Sequence, residues 1–392
     1  MGGDAQPSRR PGVFSYPEAK RGQGVRKLNA RRTLVLVSQG LGLDGGGTAV
    51  VGRLLVRGLS ELCAARGRPF TVLHLGSRAD CPCTGDIVHF RGSQLRLGWE
   101  VAARQARREV SGIVFDHLGP ARLQALLPGS FRSRFAVYLH GIEAWQARSW
   151  QRLRALRLAN VLLANSHYTA GRTQRELELE RHVEIVSPVL EERPAEGTAD
   201  GALLGALGER FLLMVGRMAA SERYKGHDEL LEAMAELRGE ATPVKLVVVG
   251  GGDDIARLRT KAVSLGVSDA VTFTGFVSEA TKQALFERAA AFVMPSRDEG
   301  FGLVYLEAMR AGCPCVALAN TAAAELITDN ETGLLVPDLG RAVLGKALRT
   351  LLDEPEWAKR LGEGGRLRWR QRHQYPAFRD ALEERLTGFL DA

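Results

Sequence analysis

Residues 295–309 read PSRDEGFGLVYLEAM, directly after the apolar pentad AAFVM at 290–294 and ahead of the turn Ala311-Gly312. An apolar run, a glycine-bearing loop and a helical pattern, in that order, describe a strand, a phosphate-type loop and a helix. A helix beginning near Gly302 leaves its first N–H groups unpaired, and with the helix dipole they form a site for a phosphate or a hydroxyl-rich ligand. Two carboxylates frame that site, Glu299 in the loop and Glu307 in the helix. Residues eight apart lie about two turns along one face, so Glu307 is expected to look back toward the ligand that Glu299 meets first. Two glutamates near a helix start are ordinarily an N-terminal charge and a solvated face. Here Ser296, Gly300, Phe301, Gly302 and Leu303 make the loop too glycine-rich and too apolar for simple solvation.

The same run resembles the Glu-x7-Glu signature of retaining glycosyltransferases of family 4, through its EGFGL core and the LEAM that follows. The resemblance extends over residues 34–390 and is strongest in the second half. There Val215-Gly216-Arg217 closes an apolar run and Lys225-Gly226-His227 opens a helix, within GRMAASERYKGHD. An arginine fork and a lysine point charge together suit a diphosphate, although either alone is more often a surface charge. The resemblance assigns both Arg217 and Lys225 to the leaving diphosphate, with Arg223 as a helper. Gly250-Gly251-Gly252 resembles the family's turn beneath the nucleotide, while Asp253 and Asp254 read as helix-capping acids. Phe273-Thr274-Gly275-Phe276-Val277 resembles the segment that lines the base, which places Phe276 and Val277 among the expected nucleotide contacts. No Asp-x-Asp stands at a strand end, so a metal-independent reaction with no metal ligand is expected.

In the first half, TLVLV at 33–37 is a buried-strand run, followed by SQGLGLDGGGTAVV and a helix to Arg66. Three successive glycines, Gly45, Gly46 and Gly47, point to close backbone approach to a ligand or a partner domain, beyond a merely mobile turn. The dinucleotide fingerprint, G-x-G-x-x-G with an acid about twenty residues on, is not met. His140-Gly141 ends the run FAVYL, with Glu143 beyond. A lone histidine is more often structural; similarity to the family's His-Gly makes His140 a candidate contact to the donor sugar or the transition state. Ala164-Asn165-Ser166 resembles a strand-end element that supports the cleft. Ser187-Pro188-Val189-Leu190 departs from the family's Pro-Gly-Val-Asp, and no contact is carried over to that turn.

Strand and helix patterns alternate from Thr33 to Val186, break over 188–208, and resume at Phe211. Such alternation implies parallel sheets covered on both faces. The expected architecture is α/β, two Rossmann-like doubly wound domains facing a central cleft, the GT-B arrangement that the resemblance also implies. Residues 1–33 are expected to be a basic disordered leader. A first, acceptor-side domain follows over 34–190, a linker over 191–208, and a nucleotide-sugar domain over 209–371. A terminal helix over 372–392 is expected to pack back toward the first domain.

The chain of 392 residues carries a net charge of +8, distributed unevenly. Residues 1–33 hold +6, residues 34–190 hold +8 with twenty arginines and no lysine, and the remainder holds −6. A basic first half suggests an anionic partner, a membrane surface or a lipid-phosphate acceptor; an Arg-rich composition weighs equally as the explanation. The segment 143–160, with Arg148, Arg152, Arg154, Arg157, Trp145 and Trp150, reads as one basic helix that, with the basic leader, suits peripheral membrane contact. No stacking aromatics interleave the arginines, so nucleic acid is not expected. No apolar run of transmembrane length and no apolar segment near the start are present, which favours a cytoplasmic location, with contact at the inner face of the membrane. Five cysteines in a large chain read as reduced thiols, and neither Cys-Pro-Cys has a histidine pair for zinc.

The resemblance implies a nucleoside-diphosphate sugar as donor, no separate cofactor, a sugar or lipid-linked hydroxyl as acceptor, and retention at the anomeric carbon. Arg217, Lys225 and the amides of Gly45–Gly47 and Gly300–Leu303 would stabilise the leaving diphosphate. Glu307 would bind the ribose hydroxyls and Glu299 the hydroxyls of the donor sugar, Glu299 being also the first candidate for a nucleophile. Two other readings use the same residues. A nucleotide-sugar epimerase needs an acid/base pair, for which only His140 and Glu143 are on offer; a non-catalytic partner would bind a nucleotide sugar or lipid, which the intact Glu pair, Arg217 and Lys225 argue against.

Overall fold

The computed structural model describes residues 32–42, 45–191, 197–208, 211–238 and 244–391. The expected leader lies outside the described residues up to position 31. Contacts divide the chain into two units. The first holds the residues up to Ala164, Thr173–Val186 and those from Arg379 onward; the second holds Asn165–Arg172 and Ser187–Phe378.

In the first unit a seven-stranded sheet has the order β3-β2-β1-β4-β5-β6-β7. Its strands are β1 Thr33–Ser38, β2 Phe70–His74, β3 Ile87–His89, β4 Val110–Phe115, β5 Phe135–Leu139, β6 Val161–Ala164 and β7 Glu184–Ile185. Every pairing is parallel. The central strands read as continuous apolar runs because both faces are covered: β5, FAVYL, is buried along its whole length. Strand order reverses between β1 and β4, and the carboxyl ends of those two strands are where an open parallel sheet offers a ligand crevice.

The second unit repeats the scheme with six parallel strands in the order β10-β9-β8-β11-β12-β13. These are β8 Phe211–Val215, β9 Lys245–Val249, β10 Val271–Gly275, β11 Ala291–Val293, β12 Cys315–Leu318 and β13 Gly333–Val336. Here the reversal falls between β8 and β11. Two Rossmann-like, doubly wound units are therefore present, as the alternating pattern implies.

Three features depart from the sequence reading. The stretch expected to be a linker contains a helix, Gly201–Leu207, capped by Asp200 through the amides of Ala202 and Leu203. Leu204 and Leu207 are buried in the second unit's core, so apolar burial overrides the glycine and alanine content. The basic segment 143–160 is two helices, Ile142–Trp145 and Trp150–Leu158; the Ser149 hydroxyl caps the second by accepting from the Arg152 amide at 3.4 Å. Trp145, read as part of a basic surface, is 2% exposed. Finally, residues 165–172 belong with the second unit. Glu325 accepts from the His167 and Tyr168 amides at 2.9 and 2.6 Å, capping the start of the helix His167–Glu176. The helix Tyr375–Leu390 runs on into residues of the first unit, where Arg134 donates to the Gly388 carbonyl at 3.1 Å.

Candidate functional site

The second unit's switch point is assembled by close backbone packing. Gly226 has φ +86°, and a Cβ there would stand 2.4 Å from the Pro295 carbonyl oxygen, so the Lys225-Gly226 turn presses on the start of the glutamate loop. Lys225 in turn runs along Gly216 at the end of β8, where a Cβ would lie 3.5 Å from Lys225 Cδ. Between Arg217 and Lys225 sits a residue that sequence reading missed. Glu222, from the turn Ala220–Lys225, pairs with Arg217 Nη2 through Oε1 and lies 3.3 Å from Lys225 Nζ through Oε2. Its i,i+3 spacing to Lys225 was the one available signal.

Glu299 stands in the same field. Burial pushes its carboxyl above the usual range; Lys225 and Arg217 pull it down and Glu222 pushes it up. Two acids and two cations therefore act on one another. Arg217 is the exposed member, its side chain 71% exposed against 15% for Lys225.

Gly302, at φ +87°, caps the helix Leu303–Ala311, and a Cβ there would meet the Tyr305 ring at 2.5 Å. Tyr305 is buried, its hydroxyl donating to the Met294 carbonyl at 2.6 Å. This bond ties the helix to the strand end and fixes the loop between them. Glu307 does not share the Glu299 cluster. Its carboxylate lies 3.0 Å from Lys282 Nζ, which also pairs with Glu279 at 3.0 Å. Burial raises the Glu307 carboxyl and Lys282 lowers it, so the two glutamates sit in separate electrostatic settings. Lys282 carries no local sequence signal toward Glu307, because only packing of the helix Glu279–Arg288 brings it there.

The loop between these groups is held from behind. Ser166 and Thr169 hydroxyls donate to the Gly300 carbonyl at 2.6 and 3.0 Å, and Arg172 pairs with Asp298. Asn165 and Ser166 thus belong to a segment that braces the loop. Phe301 is 5% exposed and sits in the core, so its side chain serves packing, and Leu303 is half-buried.

Gly250, at φ +133°, lets the turn after β9 press on the end of β8: a Cβ there would stand 2.1 Å from the Gly216 carbonyl oxygen. Gly251 lies under the Phe276 ring, which is itself 82% exposed, and Val277 is half-buried beside it. Asp254 stands at the N-cap position of the helix Ile255–Ser264, but its side chain caps no amide. Asp253 accepts from the Ala220 amide at 2.8 Å, and Asp254 is held well below the usual carboxylate range, mainly by Arg257 and then by Arg223. Arg223 is therefore committed to Asp254, through bonds of 3.1 and 2.9 Å, and the expectation that it helps bind diphosphate is corrected.

The first unit carries its own cavity of about 210 Å³ at the β1 and β4 ends, lined by Gln39, Gly40, Thr48, Asp116, His117 and His140. His140 Nε2 lies 2.6 Å from the Asp116 carbonyl, and Glu143 accepts from the His140 backbone N–H at 2.6 Å. Glu143 thus braces the chain there. The buried Asp116 carboxylate accepts from the Ser38 hydroxyl at 2.6 Å, and burial pushes it up to about 6. The His117 ring stacks on His140 with centroids 5.6 Å apart. Burial lowers His117 to about 4, and its Nδ1 accepts from the Gly119 amide at 2.9 Å, which places the proton on Nε2. Position just after β4 was the sequence signal for His117. Gly46 and Gly47 form the exposed first turn of the helix Gly46–Ala65, with Gly45 as its cap and Gly46 at φ +63°.

Residues 202–368 match the family model described as Glycosyl transferases group 1. Over 179 residues the chain is 36% identical to the GDP-mannose-dependent alpha-(1-6)-phosphatidylinositol monomannoside mannosyltransferase of Mycobacterium tuberculosis, covering 42% of this chain and 44% of that protein. It is 36% identical over 168 residues to D-rhamnosyltransferase WbpZ of Pseudomonas aeruginosa, covering 42% of each. The chain thus spans less than half the length of these curated relatives. Among solved structures, Anabaena Alr3699/HepE in complex with UDP and glucose is similar with a TM-score of 0.70 at 19% identity, over 91% of this chain and 100% of that one. Sucrose-phosphate synthase from Thermosynechococcus elongatus is similar with a TM-score of 0.70 at 22% identity, over 92% and 100%. The structural neighbours are glycosyltransferases of the GT-B fold, and the two Rossmann-like units described above are of that class.

Proposed function

We propose that this chain is a group 1 glycosyltransferase that moves a sugar from a nucleoside-diphosphate sugar to a hydroxyl acceptor, with retention at the anomeric carbon and without a metal ion. The observation that carries the reading is the cluster of Arg217, Lys225 and Glu299 at the β8/β11 switch point. It lies inside the stretch that matches the family model. The relatives found are mannosyl-, rhamnosyl- and inositol-phosphate glycosyltransferases, which supports cell-envelope, polysaccharide or glycolipid synthesis with a sugar or lipid-linked acceptor.

Cleaving a glycosyl phosphate leaves extra negative charge on the diphosphate and cationic character on the sugar. Arg217 and Lys225 stabilise the first, a contribution of several kcal/mol on the scale of fixed charge donors. Glu299 faces the second and takes the sugar hydroxyls. Glu307, oriented by Lys282, accepts from the ribose, and Phe276 offers a flat apolar face to the base beside Gly250 and Val277. The amides of Gly300, Phe301, Gly302 and Leu303 add donors at the helix start. As the acceptor oxygen bonds to the anomeric carbon, the bond to the leaving phosphate oxygen breaks on the same face and the acceptor proton passes to the leaving group.

Against an epimerase reading stands Glu143, one of its two acid/base candidates, which accepts from the His140 backbone N–H. The test is release of nucleoside diphosphate from UDP-, GDP- and ADP-sugars with glycolipid and oligosaccharide acceptors. Acceptor-dependent release that falls at least about a hundredfold in Glu299→Gln supports the proposal. Conversion of donor without acceptor, or full turnover in Glu299→Gln, contradicts it.

A further inference from the structure

Eight large apolar side chains stand out as exposed among the described residues, and five of them, Leu95, Trp99, Leu126, Phe131 and Trp150, fall in one segment of the first unit. Leu95 and Trp99 are the extreme cases, 88% and 74% exposed, one turn apart on the helix Gln94–Ala106. The elements bearing the five pack on one another. Arg122 donates to Gln94 at 2.9 Å, and a Cβ on Gly98 would lie 3.8 Å from Leu123, which joins the Gln94–Ala106 helix to the turn Arg122–Ala125. That turn packs in turn against the helix Trp150–Leu158, and the turn Gly129–Phe131 packs against Gln94–Ala106.

The segment that bears these side chains is strongly basic. Residues 91–158 contain twelve arginines and four acids. Each acid is already engaged: Glu100 with Arg104 at 2.6 Å, Glu109 with Arg107 at 2.9 Å, Glu143 with the His140 amide, and Asp116 in the interior. Exposed Arg91, Arg96, Arg122, Arg148 and Arg154 have no carboxylate within ion-pair distance among the described residues. Leucine and tryptophan tips set among unpaired arginines match an anionic bilayer surface, where the apolar tips enter the headgroup boundary and guanidinium forks hold lipid phosphates. The surplus of arginines over carboxylates selects an anionic partner, and a bilayer supplies both the phosphates for the guanidinium groups and an apolar layer for the leucine and tryptophan tips. No helix among the described residues is long and apolar enough to cross a membrane, so the contact is one that lies on the surface.

We propose that the surface carrying Leu95, Trp99, Leu126, Phe131 and Trp150, together with the exposed arginines of the same segment, docks the protein on an anionic lipid bilayer. The inference rests on exposure and charge alone and is independent of the chemistry proposed above. It moves the contact from the expected single basic helix to the Gln94–Ala106 helix and its neighbours.

The test is flotation of the full chain with vesicles of phosphatidylcholine alone or with a third phosphatidylglycerol, using wild type, Leu95→Ser/Trp99→Ser and Arg148→Gln/Arg154→Gln. Both changed pairs are at exposed positions, and an unchanged melting temperature serves as the folding control. The expected result is binding to the anionic vesicles only, weakened at least about tenfold in the apolar pair and roughly fivefold per arginine removed in the other. Equal flotation of wild type and Leu95→Ser/Trp99→Ser would assign binding to another segment and overturn the proposal. So would equal affinity for neutral vesicles, no vesicle binding at all, or a concentration-dependent dimer that the apolar pair abolishes.

Discussion

Lys282 Nζ lies 3.0 Å from Glu307 Oε2, joining the helix Glu279–Arg288 to the helix Leu303–Ala311, and this contact opposes the effect of burial on the carboxylate. Burial raises the Glu307 carboxyl and Lys282 opposes it. Without the lysine, Glu307 takes up its proton at a higher pH and ceases to be a full acceptor for ribose hydroxyls. Lys282→Met is expected to weaken nucleoside-diphosphate binding more at pH 6 than at pH 8, by roughly tenfold relative to wild type. Calorimetry at the two pH values checks this, and a pH-independent loss would mean that Lys282 acts only through packing.

Glu222 stands between the two cations assigned to the diphosphate. Its carboxylate offsets part of the positive charge of Arg217 and Lys225. Replacing its charge in Glu222→Gln gives an incoming anion uncompensated cations, and inorganic pyrophosphate is expected to bind roughly fivefold more tightly. Weaker binding would show instead that Glu222 holds Arg217 and Lys225 in place.

The loop geometry depends on Gly302. Any side chain there meets both the left-handed backbone at φ +87° and the Tyr305 ring. Gly302→Ala is expected to cost about 2–4 kcal/mol in chemical denaturation. A loss under about 0.5 kcal/mol, within the range of an ordinary surface change, would mean that Tyr305 yields readily.

Much of this was legible in the chain. Strands β5, β6, β8, β12 and β13 are found over the residues that their apolar runs mark, because a strand buried on both faces is a continuous apolar word closed by turn residues. The three-residue β3 left no such pattern. The helix Gly201–Leu207 was hidden by composition, since its stability comes from burying Leu204 and Leu207 and hardly from propensity. At the site, residues in the glutamate loop and the Gly-Arg and Lys-Gly turns could be read locally. Lys282 and His117 could not be given roles, because their partners are supplied by packing. Arg223 was misread for the same reason, its partner Asp254 lying 31 positions away.

Arg257 bridges Asp228 and Asp254, with Nη2 at 2.7 and 2.6 Å. It holds Asp228 down at about 2 and Asp254 lower still. A depressed folded-state value means that this stability is present above the unfolded value near 4 and is lost as pH falls through the folded value. Wild type should therefore lose this contribution between about pH 4 and pH 2. Arg257→Met is expected to lose about 2 kcal/mol at pH 7 and to show a shallower decline with acid. Parallel pH profiles for the two proteins would refute the assignment.

The central claim is that Arg217, Lys225, Glu299 and Glu307 serve one diphosphate-linked sugar. Calorimetric titration of UDP and GDP into wild type, Lys225→Ala and Glu307→Gln tests it most directly. The account predicts a single site in wild type for one of the two nucleotides, with affinity reduced at least about tenfold in each variant while the melting temperature holds. Equal affinity in all three proteins, or binding lost in neither variant, would contradict it.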